Sequence, residues 1–186
     1  MTSRKPFRLL WLVTALATLV IGISGCSDSP PASSSELAES YAQSLYNSRV
    51  HYIGDNADVS SLLSQLGVEN RLGTFTIELQ TKEEPYILTL HFDQLPEDTK
   101  AFCDQFYNYY ANLLLALIDN CGQVSCTYPD NGVLVTLDWT AQEASDSLNL
   151  DMKACGDSPE DIAVLLDTIR TVYADHPNVM ELYQEP

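Results

Sequence analysis

Two short stretches gather the residue types that ligand chemistry needs. Gly54-Asp55-Asn56, with Asp58 close behind, sets a carboxylate, an amide oxygen and a flexible backbone side by side, the donor set of a cation or ligand loop. Glu83-Glu84-Pro85-Tyr86 adds two acids and a phenol, which suit a cation or a peptide. Each stretch also has a purely structural explanation. Gly54 would supply an unusual φ while Asp55 or Asn56 caps a helix, and two acids in a turn are commonly just solvated. Asp55 with Glu83 or Glu84 would serve as acid and base for a hydrolase of envelope material only if two of them stand roughly 5 to 10 Å apart in one cleft.

The remaining chemistry-bearing side chains are sparse. His51, His91 and His176 are the three histidines, and nothing in the sequence pairs His91 with a nucleophile. No Gly-x-Ser-x-Gly elbow, phosphate-binding glycine loop or Ser-x-x-Lys motif is present. No catalytic residue is assigned. No metal or other cofactor is expected from the motifs.

Those side chains must be carried by regular elements. Leu37, Tyr41, Leu45 and Tyr46 recur every three to four residues and mark an amphipathic helix over 36–49. Val59, Leu62, Leu63 and Leu66 mark a second, ended by Gly67. Residues 74–80 and 86–92 alternate apolar and polar and read as a hairpin. A long helix follows over 98–120 with a wide apolar face from Phe102 to Ile118. Residues 123–128 and 133–139 form a second hairpin around Pro129-Asp130-Asn131-Gly132. Thr140 with Glu143 makes a capping box, and Ser158-Pro159 starts a last helix that ends before His176-Pro177. The expected fold is α+β, a four-stranded antiparallel sheet of two hairpins with helices packed on one face.

Cys103, Cys121, Cys126 and Cys155 lie in or between these elements. Cys121 and Cys126 bracket an extended segment and would sit roughly 16 Å apart at about 3.3 Å per residue, beyond the limit of about 7 Å for a bridge. Cys103 and Cys121, separated by one helix, would be about 27 Å apart at roughly 1.5 Å per residue. Cys103 with Cys155 is the least excluded disulfide, and four buried free thiols are the default.

The N-terminus assigns a location. Arg4, Lys5 and Arg8 precede an uncharged apolar run from Leu9 to Ile23, the layout of a secretory signal and shorter than the roughly 20 residues of a spanning helix. Ile23-Ser24-Gly25-Cys26 resembles the bacterial lipobox, in which the cysteine sulfur takes a diacylglyceryl group before cleavage. Residues 1–25 are therefore expected to be a lipoprotein signal peptide, and Cys26 the lipid attachment. Residues 26–35, rich in Ser and Pro, read as a tether, and residues 36–186 as a single globular domain. The expected product is a lipid-anchored protein on the extracellular face of the cell membrane.

Charge narrows the partners. The chain from Cys26 onward holds 6 of the 9 Lys and Arg and all 26 Asp and Glu, a net −20. Such a polyanion repels nucleic acid and anionic headgroups. Beyond the bilayer reached through the anchor, the expected partner is a cell-surface protein or small ligand met by a monomer, and a Ca²⁺-stabilised structural domain is a further alternative.

The stretches Leu45-Tyr46, Tyr52-Ile53-Gly54-Asp55-Asn56, Ser60, Leu63 and Glu78 to Tyr86, with Leu113 to Asn120, resemble an uncharacterised extracellular domain family over about 45–168. Its members occur in bacterial lipoproteins and at the C-terminus of beta-lactam-sensor-type membrane metallopeptidases. The resemblance implies location and fold, with a role in sensing or binding, and it implies apolar environments for Cys121 and Cys126. The metallopeptidase's His-Glu-x-x-His helix is absent here, so its proteolysis does not carry over.

Overall fold

Side-chain caps set where the helices begin. The computed structural model describes residues 34–94 and 97–183. Asp55 accepts the backbone N–H groups of Ala57 and Asp58, both at 3.2 Å, and opens α2 (Asn56–Gln65). Asp98 does the same for Ala101 and opens α4 (Thr99–Gln105). Thr140 and Glu143 close the expected capping box on α6 (Ala141–Leu148). Ser158, followed by Pro159 in the first turn, opens α7 (Pro159–Val172). In each case an oxygen satisfies donors that the first helical turn leaves without partners.

The other elements follow in order. Helix α1 spans Ser34–Asn47, beginning two residues earlier than the expected domain start, and α3 spans Val68–Leu72. Strands β1 (Phe75–Gln80) and β2 (Tyr86–Phe92) form the first hairpin. Helix α5 (Ala111–Leu117) precedes β3 (Cys121–Asp130) and β4 (Val133–Thr140), and α8 (Pro177–Met180) follows α7. The expected signal, Cys26 and nearly all of the tether lie outside the described residues. No helix among the described residues is long and apolar enough to cross a membrane.

The fold class is α+β with a four-stranded sheet in the order β1-β2-β3-β4. Both hairpins are antiparallel, but β2 and β3 run parallel, so the sheet is mixed rather than wholly antiparallel. The reason is the link between them. The chain leaves β2 at one end, crosses the sheet through α4 and α5, and re-enters β3 in the same direction. The second hairpin turn is also tighter than expected: Pro129 pairs within β3, and Asn131 and Gly132 alone turn the chain, both with positive φ. Pro129 is tolerated because the β2 pairing stops at Thr127, so no β2 acceptor calls for its missing N–H.

The long expected helix 98–120 carries a π-helical turn over Phe106–Tyr110 between α4 and α5. Buried Asn112 holds that irregularity, donating to the Tyr107 carbonyl at 3.1 Å and accepting the Trp139 indole N–H from β4 at 2.9 Å. Leu88, Leu90 and Phe92 of β2 and Val124, Cys126 and Tyr128 of β3 are buried on the helix side of the sheet. There Phe102 meets Phe92 and Tyr128 edge-on, at 5.0 and 5.5 Å between ring centroids. The opposite face is polar, with Glu78, Thr89, Ser125 and Asp138 in one row across the four strands. Helix α1 packs along α7.

Candidate functional site

The end of α5 organises the region that the sequence points to. Ile118 leaves the helix in an extended conformation and bridges in parallel to Val50, with N–H···O bonds from Val50 to Leu117 at 2.8 Å and from Asp119 to Val50 at 2.9 Å. Asn120 Oδ1 then accepts the Ile53 N–H at 2.8 Å. These bonds lay the segment 49–54 against the helix end. Asp119 turns outward, where its carboxylate lies 2.7 Å from His51 Nδ1 and 3.6 Å from Arg49 Nε.

Asp119, Asn120 and Gly122 share one open cleft with Glu84, Tyr86 and Lys153. The β1–β2 turn forms its other wall. Gln80 braces that turn, donating to the carbonyls of Glu83 and Pro85 at 2.8 and 3.3 Å, and accepting the Lys82 N–H at 2.9 Å. Glu84-Pro85 is a cis peptide, and Tyr86 is the β2 residue in register with Cys121 of β3. Gly122 lets the walls meet, since a Cβ there would fall 2.8 Å from Pro85 Cβ.

Lys153 forms the floor. Its ammonium donates to the carbonyls of Leu115 at 2.6 Å and Ile118 at 3.2 Å, and to that of Cys121. Leu115 lies in the last turn of α5, whose carbonyls the helix leaves open, and a cation there also complements the helix dipole. Burial lowers the ammonium's pKa, and the nearby Asp119 carboxylate acts to restore it. The cleft thus offers carboxylates, an amide, a phenol and one tethered cation to solvent.

Of the residues singled out in the sequence, Glu84 and Tyr86 line this cleft, while Glu83 is exposed on the adjoining turn. Gly54, Asp55 and Asn56 are exposed but stand outside it, tied in only through Ile53 and Asn120. Asp55 is the α2 cap, and Asn56 is the first residue of that helix. Gly54 lacks the positive φ that the sequence suggested, a conformation found instead at Gly67, Gly73 and Gly132. Its demand is steric, because a Cβ would fall 2.2 Å from the ring of Tyr52. Asp119 and Asn120 figure in the sequence only as the end of the family-like helix, with no site role, and Lys153 does not figure at all. The available signal was a polar pair at a helix-to-strand junction beside Cys121-Gly122, whereas nothing local marks Lys153.

His91 proves to have a hydroxyl partner. Its Nδ1 lies 2.8 Å from Thr127 Oγ1 and its Nε2 lies 3.1 Å from Glu78 Oε2. A hydroxyl, an imidazole and a carboxylate in sequence are the groups of a hydrolytic triad. Here they stand on three adjacent strands of the flat outer face, and Thr127 is only 7% exposed, so they clamp the strands instead of presenting a nucleophile. The cysteines are equally quiet. Cys103, Cys121, Cys126 and Cys155 are all free and no Cys103–Cys155 bridge forms; three are buried as expected, while Cys103 is only half-buried. Burial pushes the thiols of Cys121 and Cys126 up, and that of Cys155 up to about 11, with Asp161, Asp151 and Asp157 adding to the last. Thiols so shifted are weak nucleophiles at neutral pH. Among the described residues, no three His, Cys, Asp or Glu side chains gather as metal ligands.

Residues 45–140 match the family model described as a domain of unknown function, DUF4825. That span holds α2, α3, all four strands and every cleft residue except Lys153. No curated protein and no solved structure matches the chain. By the match over more than half its length, the chain belongs to the DUF4825 family.

Proposed function

We propose that this chain is a lipid-anchored extracellular module that binds a cell-surface protein without chemical turnover, using the cleft between the β1–β2 turn and the end of α5. The observation that carries this reading is convergence. The Glu84 to Tyr86 stretch lines the cleft, and Ile53, the residue before Gly54, is hydrogen-bonded to Asn120 in its wall. The cleft is broad and open, whereas small-molecule sites bury most of their ligand. A protein or peptide surface therefore suits it better.

The anchor rests on Ile23-Ser24-Gly25-Cys26 and the preceding apolar run. The Ser/Pro segment would give the domain reach from the bilayer, and the net charge of −20 would hold it off anionic headgroups. The carboxylate-pair hydrolase is less well supported, because Asp55 is committed to its helix cap and Glu83 and Glu84 are exposed on a different loop. Two experiments test the proposal. Wild-type protein should incorporate labelled fatty acid and sediment with membranes, and Cys26→Ser should do neither; a lipid-labelled Cys26→Ser protein would remove the anchor. Glu84→Ala with Asp119→Ala should then abolish the partner recovered by wild-type protein from solubilised membranes, and full recovery would remove the cleft.

A further inference from the structure

A second surface, separate from the cleft, lies along the other side of the first hairpin. Among the described residues, strand β1 is an edge of the sheet, paired through its whole length with β2 on one side only. Its other side presents a row of backbone donors and acceptors, which is a template for one more strand. Beside that edge lies a cavity of about 290 Å³, walled by Leu63, Ser64 and Asn70 of the α2–α3 segment and floored by Phe75 and Ile77 of β1. A helix standing beside an unpaired edge strand, with a groove between them, is the geometry that captures extended peptides by strand addition.

The two faces of β1 define what such a peptide must carry. Phe75, Ile77 and Leu79 are half-buried toward the helices, whereas Thr76 and Glu78 are exposed on the outer face. A peptide laid along β1 would alternate in the same way. Every second side chain would enter the groove beside Leu63, Phe75 and Ile77 and should be apolar. The intervening ones would stand beside Glu78, whose side chain keeps 69% of its surface exposed while it holds His91. Charge agrees with this. From residue 55 to 80 the chain has Asp55, Asp58, Glu69 and Glu78 against the single cation Arg71. Cross-strand neighbours of opposite charge stabilise a sheet and like charges oppose it.

We infer that the β1 edge and its groove bind an extended peptide of alternating apolar and basic residues by adding it to the sheet as a fifth strand. The probe is a fluorescein-labelled (Val-Lys)₃ peptide titrated against the folded domain, with fluorescence anisotropy as the readout. Strand addition uses only every second amide of the peptide. Methylating one alternate set of amide nitrogens should weaken binding at least tenfold, and methylating the other set should leave it within about twofold. Ser64 is exposed on the groove wall, so Ser64→Trp should fill the groove and abolish binding without unfolding the domain. Glu78→Lys should lower affinity for (Val-Lys)₃ several-fold and raise it for (Val-Glu)₃. Circular dichroism of both variants checks that the fold is kept. Absence of saturable binding, equal loss from both methylation patterns, or unchanged binding by folded Ser64→Trp would each overturn the inference, the second by showing that charge alone attracts the peptide.

Discussion

Asn120 Oδ1 accepts the backbone N–H of Ile53 across 67 residues of sequence. This bond joins the most distinctive loop of the chain to the end of α5. Asn120→Ala would leave the Ile53 amide without its acceptor at a buried position, at a cost of about 1 to 2 kcal/mol. Amide hydrogen exchange at Ile53 should accelerate in the variant by an order of magnitude or more. Unchanged protection would mean that the Val50–Ile118 bridge alone holds the loop.

Lys153 serves three carbonyl oxygens from the α5 terminus and the start of β3. Lys153→Met keeps the length of the stem and removes the donors, leaving half-buried carbonyls that α5 cannot satisfy. The expected loss is about 2 to 3 kcal/mol in urea denaturation. A loss below about 0.5 kcal/mol would show that water replaces the ammonium without penalty.

Asn112 couples the π-helical turn to β4 through Trp139. In Asn112→Leu both the Tyr107 carbonyl and the Trp139 N–H lose their partner, and the variant should be destabilised by about 2 to 4 kcal/mol, summing two unmade bonds. The Trp139 emission should also shift, since the indole loses its fixed acceptor. Emission identical to wild type would contradict the coupling.

The C-terminal segment is fixed to α4 through a titratable group. Asp104 accepts from Asn178 at 3.1 Å and pairs with Lys100, while His176 stands at 3.7 Å. Burial acts to raise its carboxyl pKa, but the hydrogen bonds from Lys100 and Asn178 and the charges of Lys100 and His176 outweigh it and hold the group below 3.8. A carboxyl depressed on folding stabilises the native state above its unfolded pKa and loses that contribution as pH falls through the folded value. Melting temperature should therefore fall from about pH 4 downward more steeply in wild type than in Asp104→Asn. Parallel acid limbs would exclude this role.

Much of the fold is local chemistry and was legible. The Thr140–Glu143 box, the Ser158-Pro159 start and the Asn131-Gly132 turn each act within four residues, and each stands where the sequence implies. The direction of β3 relative to β2 was not legible, because it depends on how a crossover of more than 20 residues returns to the sheet. The π-helical turn was hidden for a similar reason: its partner Trp139 lies 27 residues from Asn112. At the cleft, Glu84 and Tyr86 announced themselves by type, but Lys153 lies more than 30 residues from every carbonyl it serves. The sequence thus offered the ends of the site without its floor.

The central claim, that the cleft meets a protein partner at the cell surface, is tested most directly by photo-crosslinking in intact cells. A benzophenone side chain at Glu84, on the cleft rim, is compared with one at Val164, which is 55% exposed on α7. The account predicts a discrete higher-mass adduct from position 84 alone, lost when Asp119→Ala is added. No adduct at position 84, or the same adduct from both positions, would contradict it.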